Sequence, residues 1–383
     1  MKMARIILVT VLFFNLVIVP SIAFPFGNGY GFDKPKEGNN NNDDKPKEDN
    51  NNNNNNNYDD KPKEKPNDVV NDNNNVGNLK QGFYSGSCPN AEKIVADALA
   101  EIVKMNPNAI ANLLRLQFHD CFVVGCDASI LLDYSPTGEQ VEKSSFFNGQ
   151  LLKGADIVDD IKSKLEEQCP GVVSCSDTLA FAINEGMVLA GLPRRAPLGG
   201  RRDSVYSLAS VVEDNNLPMP GWSIERMIEL FTRKGFTIEE MVILIGAHSV
   251  GSVHCDIFME RIYNFANTRK PDPTLPAPVI NEFQQICKNA GTPQFRNPPV
   301  NFDETPTVLD TLFFKNMVNR NKTTILTDSH LINDPRTIPI VQQMANEDGL
   351  WQQRFPEVMD KMSSLNVLTG NNGEVRKTCR STN

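Results

Sequence analysis

The chain has 383 residues, 40% of them hydrophobic, and a formal net charge of −9. That is length enough for one large or two ordinary domains with a substantial core. The acidic balance argues against nucleic acid as a partner.

Lys2 and Arg5 precede a predominantly apolar run over residues 6–19, which ends at Pro20, Ser21, Ile22 and Ala23. The run is short against the roughly 20 residues a membrane span needs, and its small-residue ending fits cleavage after Ala23. Residues 1–23 are therefore expected to be a signal peptide, with no membrane contact after cleavage. Residues 24–78 are dominated by Asn, Asp, Lys and Pro, and a DKPKE unit recurs from Asp33, Asp44 and Asp60. So little apolar surface cannot offset the entropy of ordering. The segment reads as a disordered extension that either solvates the protein or contacts an extracellular polymer such as the cell wall.

From residue 79 onward the pattern is globular and helical. Pro89 and Asn90 open a helix to about Met105, and Asn108 starts a second. Further helices are expected over residues 154–168, 174–190 and 223–234. Thr237 and Glu240 form a capping box for a helix running to about Ala247. Others are expected near 257–265, 279–287, 312–319, 338–346 and 350–364. Sustained period-two alternation is scarce, so the fold class is all-α, as one domain or as two lobes sharing a site.

The stretch NLLRLQFHDCFVVGCD, residues 112–127, carries the chemistry. Arg115, Phe118 and His119 lie on one helix face, while Leu113, Leu114 and Leu116 point elsewhere into a core. A permanent cation, an aromatic ring and an imidazole suit a small polar molecule that loses a proton while charge builds at its other end. Cys121 and Cys126 follow, as zinc ligands with His119 or as a disulfide. Export favours the disulfide, because all eight cysteines lie beyond the signal and an even number in an oxidising compartment implies four bridges. Their pairing is open from the sequence. Asn321-Lys322-Thr323 is a glycan acceptor sequence, which makes sense on an exposed loop. His248 ends a second apolar helix, where the helix dipole alone could explain it. The chain has only four histidines, and two of them on two buried helices, with an Arg, suggest a flat cofactor held between them. One His would ligate a haem iron and the other stand over the open face.

These words, with QGFYSGSCPNAEKIV, CPGVVSCSD, PLGGRRD, NLPMP, ILIGAHSVG, TPTVLD, ILTDSHL and GEVRKTCR, make residues 79–380 resemble a class III (secretory plant-type) haem peroxidase. The resemblance implies two helical lobes with one haem b between them in a peroxidase domain over residues 79–383. It implies Arg115, Phe118 and His119 as the distal group, with Asn148 orienting His119. His248 would be the axial iron ligand, Asp328 its hydrogen-bond acceptor, and Pro218 the lining of the donor entrance. The implied disulfides are Cys88–Cys169, Cys121–Cys126, Cys175–Cys379 and Cys255–Cys287. Two calcium ions are implied. The distal one takes Asp120, Asp127, Ser129, the Val123 and Gly125 carbonyls, and Glu142 through water. The proximal one takes Ser249, Thr305, Asp310, the Val308 carbonyl and Asp303. Read without the family, these carboxylates are a solvated turn. The chain departs from the family by one missing residue between Asp303 and Thr305, which opens the role to Glu304, and by Phe313-Phe314 where tyrosines are more usual.

The implied activity is reduction of hydrogen peroxide to water with one-electron oxidation of small phenolic donors. The protein is expected to be a monomer, secreted to the extracellular space or wall, with the vacuole as the other destination. A rival reading is a calcium-stabilised, extracellular polymer-binding protein with an idle haem site.

Overall fold

A computed structural model describes residues 79–148, 152–214, 216–290 and 297–383. The signal and the extension read at residues 1–78 lie outside them. The helices are α1 (Ala91–Met105), α2 (Ala109–Val123), α3 (Ala155–Gln168), α4 (Cys175–Leu189), α5 (Ala209–Glu213), α6 (Ile224–Arg233) and α7 (Ile238–Ile245), then α8 (Met259–Tyr263), α9 (Ala277–Cys287), α10 (Leu312–Arg320), α11 (Leu326–Asn333), α12 (Ile338–Asn346) and α13 (Leu350–Met362). Four short strands pair antiparallel: β1 (Lys80–Gln81) with β2 (Leu198–Gly199), and β3 (Ser252–His254) with β4 (Pro299–Asn301). The all-α expectation holds.

The helices pack as two groups. The first is α1 to α4, and the second is α6, α7 and α10 to α13. In the first, α2 runs against α4 and presents Leu113 and Leu116 to the core at 0% and 1% exposure. Each leucine buried that fully contributes about 1.5–3 kcal/mol. In the second, α7 is apolar and buried from Met241 to Ile245, after an acidic first turn. Its start is fixed by the expected capping box, Thr237 accepting from the Glu240 N–H while the Glu240 side chain accepts from the Thr237 N–H.

Helix α7 stops earlier than expected. After Ile245 the chain tightens into a 3₁₀ turn over Gly246–Ser249. The packing requires glycine at the junction, because a Cβ on Gly246 would lie 2.4 Å from Trp351 Nε1 and 2.9 Å from a Phe314 ring carbon. The helix expected over 257–265 is likewise broken, leaving only Met259–Tyr263 as α-helix between two 3₁₀ turns. It packs with α9, and Phe258, Ile262, Val279 and Phe283 form a small separate core braced by Cys255–Cys287. Helices α5 and α11 go beyond the sequence expectations. Helix α11 has little amphipathic pattern and no side-chain cap, so nothing local announces it.

Candidate active site

Helix α2 delivers Arg115, Phe118 and His119 from successive turns of one face. Arg115 Nε lies 3.4 Å from His119 Nε2. A guanidinium can only donate, so Nε2 accepts and the ring proton sits on Nδ1. Nδ1 in turn lies 2.7 Å from Asn148 Oδ1, and the Asn148 amide is held by donating from Nδ2 to the Glu142 carbonyl at 2.7 Å. The chain of bonds fixes one tautomer, with a lone pair on Nε2. Burial, then the Arg115 charge, push the His119 pKa down to about 3, against a smaller upward pull from Asn148. The imidazole is thus a neutral base at every ordinary pH. Arg115 reaches solvent at the mouth of the site but is hemmed in by protein, and that desolvation lowers its pKa. It stays a cation at neutral pH. Phe118 sets its ring edge-on to His119 at 5.9 Å and packs on Phe122 at 4.3 Å.

His248 sits on the 3₁₀ turn that closes α7. Its Nδ1 lies 3.1 Å from Asp328 Oδ1, and Asp328 is wholly buried on α11. The bond occupies Nδ1 and leaves Nε2 as the nitrogen a metal can take. The His248 side chain keeps 33% of its surface open although Gly246, Ser249 and Asp328 around it are buried. Phe302 stacks parallel on its imidazole at 4.4 Å and Phe313 stands edge-on at 5.9 Å. A ring clamped on one face, hydrogen-bonded at one nitrogen and open at the other fits an axial metal ligand. Sequence reasoning missed Phe302, whose only signal is its place beside Asp303.

Pro218 is half-buried in the loop before α6. Two residues on, the Pro220 carbonyl accepts the N–H of Thr327, which ties this loop to the helix carrying Asp328.

The turn after α2 is not solvated. Asp120, Asp127 and Glu142 are 1%, 3% and 1% exposed. Asp120 Oδ2 accepts from the Ala128 N–H at 3.0 Å, and Asp127 Oδ1 from the Ser129 N–H at 3.0 Å. Both Glu142 oxygens and Ser129 Oγ make no hydrogen bond of good geometry, although Ser129 lies close enough to draw the Glu142 and Asp127 pKa values down. Burial outweighs this. It raises Asp127 to about 6, and burial with mutual repulsion raises Asp120 and Glu142 well above the usual range. Buried oxygens without partners are costly, and a hard cation would satisfy them. Among the described residues no three His, Cys, Asp or Glu side chains converge to hold a metal by themselves. A site here therefore depends on hydroxyl and carbonyl oxygens as well.

Beside His248, Ser249 Oγ donates to the Val308 carbonyl at 3.1 Å and accepts from the Asp310 N–H at 3.0 Å. Thr305 Oγ1 lies 3.1 Å from Asp303 Oδ1 and 2.9 Å from Asp310 Oδ2. The second Asp303 oxygen is buried without a partner, and burial with the Asp310 charge raises its pKa to about 6. Glu304 is drawn elsewhere, to Asn316, Arg320 and Lys322, and those bonds hold its pKa at about 2 despite partial burial. The missing residue thus leaves Asp303, not Glu304, in the cluster.

All eight cysteines are paired, as Cys88–Cys169, Cys121–Cys126, Cys175–Cys379 and Cys255–Cys287. With both sulfurs of the distal turn in a disulfide, the zinc reading fails. The open loop expected around Asn321 is not there. Lys322 and Thr323 are 5% and 2% exposed, Asn321 Nδ2 donates to the Thr274 carbonyl at 2.7 Å, and its Oδ1 is buried. Asn321 caps α10 in a left-handed conformation, which turns the acceptor sequence inward.

Two helical groups thus each present a histidine, one braced by an amide and the other by a carboxylate. The Peroxidase family profile matches residues 95–347. Peroxidase 37 of Arabidopsis thaliana is 38% identical over 310 residues, covering 80% of this chain and 88% of that protein. Peroxidase 57 of the same plant is 38% identical over 303 residues, covering 79% and 92%. Peroxidase 5 of Vitis vinifera is 38% identical over 303 residues, covering 79% and 91%. The chain belongs to the class III plant haem peroxidases, a haem-binding family that acts on hydrogen peroxide and a donor substrate.

Proposed function

We propose that the protein is a secreted peroxidase that reduces hydrogen peroxide to water and oxidises small phenols by single electrons. The observation that carries this is the Arg115–His119–Asn148 chain, which keeps a buried imidazole neutral with its lone pair on Nε2. His119 takes the proton from one peroxide oxygen and returns it to the other, which leaves as water. Arg115 balances the negative charge on the departing oxygen, Asn148 holds the ring in register, and Phe118 keeps water off the site.

One haem b would be held through His248 Nε2. When bound, it supplies the electrons that split the peroxide and the oxidising power passed to donors. Asp328 draws the Nδ1 proton of His248 toward itself, which makes the ring a stronger electron donor toward a metal. Pro218 lines the approach for the phenol.

Two calcium ions complete the reading. The distal one would take Asp120, Asp127, Ser129 and the Val123 and Gly125 carbonyls, with Glu142 through water. The proximal one would take Ser249, Asp303, Thr305, the Val308 carbonyl and Asp310. Each site includes a residue next in sequence to a histidine of the pocket, so each ion would brace one wall of it. Extracellular function rests on the signal-like residues 1–23 and on the disulfides. Among the described residues no helix is long and apolar enough to cross a membrane. The extension over residues 24–78 would either solvate the protein or contact wall polymer, and the working unit would be a monomer.

The test is His119→Leu. The variant should bind haem with an unchanged absorbance band and react with peroxide orders of magnitude more slowly. Reaction at the native rate would remove His119 as the base.

A further inference from the structure

We propose that Trp351 is an internal electron donor, the residue from which the peroxide-oxidised centre draws one electron when no external donor is bound. The inference rests on the assignment of His248 as axial ligand. A line of aromatic rings leads away from that histidine. His248 stands edge-on to Phe313 at 5.9 Å, Phe313 to Phe314 at 5.4 Å, and Phe314 to Trp351 at 6.0 Å. A second contact is more direct. The indole lies against the backbone at Gly246, the first residue of the 3₁₀ turn after α7, where no Cβ would fit, and its Nε1–H donates to the Ile243 carbonyl at 3.0 Å. Gly246 is two residues from His248.

The chemistry of the rings picks out the end of the line. A phenylalanine is too hard to oxidise to hold an electron vacancy, so Phe313 and Phe314 can only bridge. Trp351 is the first ring on the path that gives up an electron readily, because its indole is electron-rich. It is 0% exposed, so a vacancy there is shielded from solvent. The other tryptophan differs in both respects. Trp222 is 8% exposed and carries the Arg226 guanidinium 3.9 Å over its ring. A cation held over the ring opposes a second positive charge in it. Among the described residues no cation stacks on Trp351.

With a haem held through His248, peroxide would take two electrons from it, and the Trp351 indole would return one of them, leaving the centre one electron short of rest. The indole becomes a radical cation. Its N–H proton stays where it is, because the Ile243 carbonyl is too weak a base to take it. Two phenols arriving later at the Pro218 approach would each give one electron by way of the centre, one refilling the indole, whose ring is 0% exposed, and one returning the centre to rest. Trp351 thus stores one oxidising equivalent and spares the site from holding both.

The test uses the full-chain holoprotein, one equivalent of hydrogen peroxide, no phenol, and rapid freezing for electron paramagnetic resonance. A tryptophan radical signal is expected in the wild type and in Trp222→Phe, and its loss in Trp351→Phe. Should Trp351→Phe not fold, the Trp222→Phe protein grown with ring-deuterated tryptophan answers the question without it, since a signal from Trp351 must narrow. A haem spectrum that changes on peroxide, with no tryptophan signal or one indifferent to Trp351→Phe and to deuteration, overturns this proposal alone. A haem spectrum that does not respond to peroxide overturns it together with the reading of His119 and His248.

Discussion

Replacing Asn148 by valine isolates one link of the distal site. The side chain is close in size, and what it removes is the acceptor 2.7 Å from His119 Nδ1. His119 is 8% exposed, so its ring has two ways to respond. It can keep the proton on Nδ1 and leave a buried N–H without a partner, at about 1–3 kcal/mol. It can instead move the proton to Nε2, the atom that must accept from peroxide. Either way the base loses effectiveness by roughly that amount, and at about 1.4 kcal/mol per decade the reaction with peroxide should slow on the order of 10- to 100-fold. The Glu142 carbonyl also loses its Nδ2–H partner, a main-chain bond that does not reach the His119 ring. Stopped-flow absorbance, with peroxide in excess and no phenol, reads this step by itself. A rate within about twofold of wild type, where decades are expected, would refute the claim that Asn148 sets the proton on His119. So would an equal loss in the later phenol step.

Other outcomes follow from the same geometry. With the His119 pKa depressed to about 3, its base form persists as pH falls through the range where a free histidine would protonate. The reaction with peroxide should therefore stay flat from neutral pH down to about 4, and an acid limb near the ordinary histidine pKa would contradict it. Stripping calcium should lower the melting temperature, and restoring it should reverse the loss. In the stripped protein Asp127 holds a proton up to about 6 when folded but not when unfolded. Its contribution is present below the unfolded pKa and is lost as pH rises through about 6, a loss on the order of 3 kcal/mol from this group. The stripped protein should melt at a lower temperature at pH ~8 than at pH ~5, and a pH trend unaltered by calcium would be the contrary finding. At Asn321 the acceptor nitrogen is engaged and its neighbours are buried. Mass spectrometry of the secreted protein should find that peptide mostly without glycan, and full occupancy would mean the α10 end opens.

Much of this site is legible in the chain because its chemistry is packed into local words. Arg115, Phe118 and His119 fall on one helix face by spacing alone, and the capping box at Thr237 announces the helix that ends near His248. What the residues taken alone leave out, and what the family resemblance or the fold has to supply, depends on contacts between distant segments. Asp328 lies on α11, a helix without a pattern, 80 residues from the histidine it serves. Phe302 reaches His248 only because β3 and β4 fold back beside the 3₁₀ turn. The carboxylates at Asp120 and Asp127 look like a wet turn until Glu142, Asp203 and Arg376 are brought around them. The end of α7 falls short of its expected place because of Trp351, far along the chain, which fills the space a side chain at Gly246 would need. Asn321 turns inward for the matching reason, since its burial comes from Thr274 across the fold.

On the proposed reading, His248 grips a haem through Nε2 while Asp328 holds its other nitrogen. The absorbance spectrum of the full-chain protein, reconstituted with haemin beside His248→Ala, tests it most directly. One tightly held haem per wild-type chain is expected, and in the variant a weakly held haem whose native band returns when imidazole is added. A wild-type protein that stays colourless with haemin, or a variant with the wild-type spectrum and no response to imidazole, would contradict it.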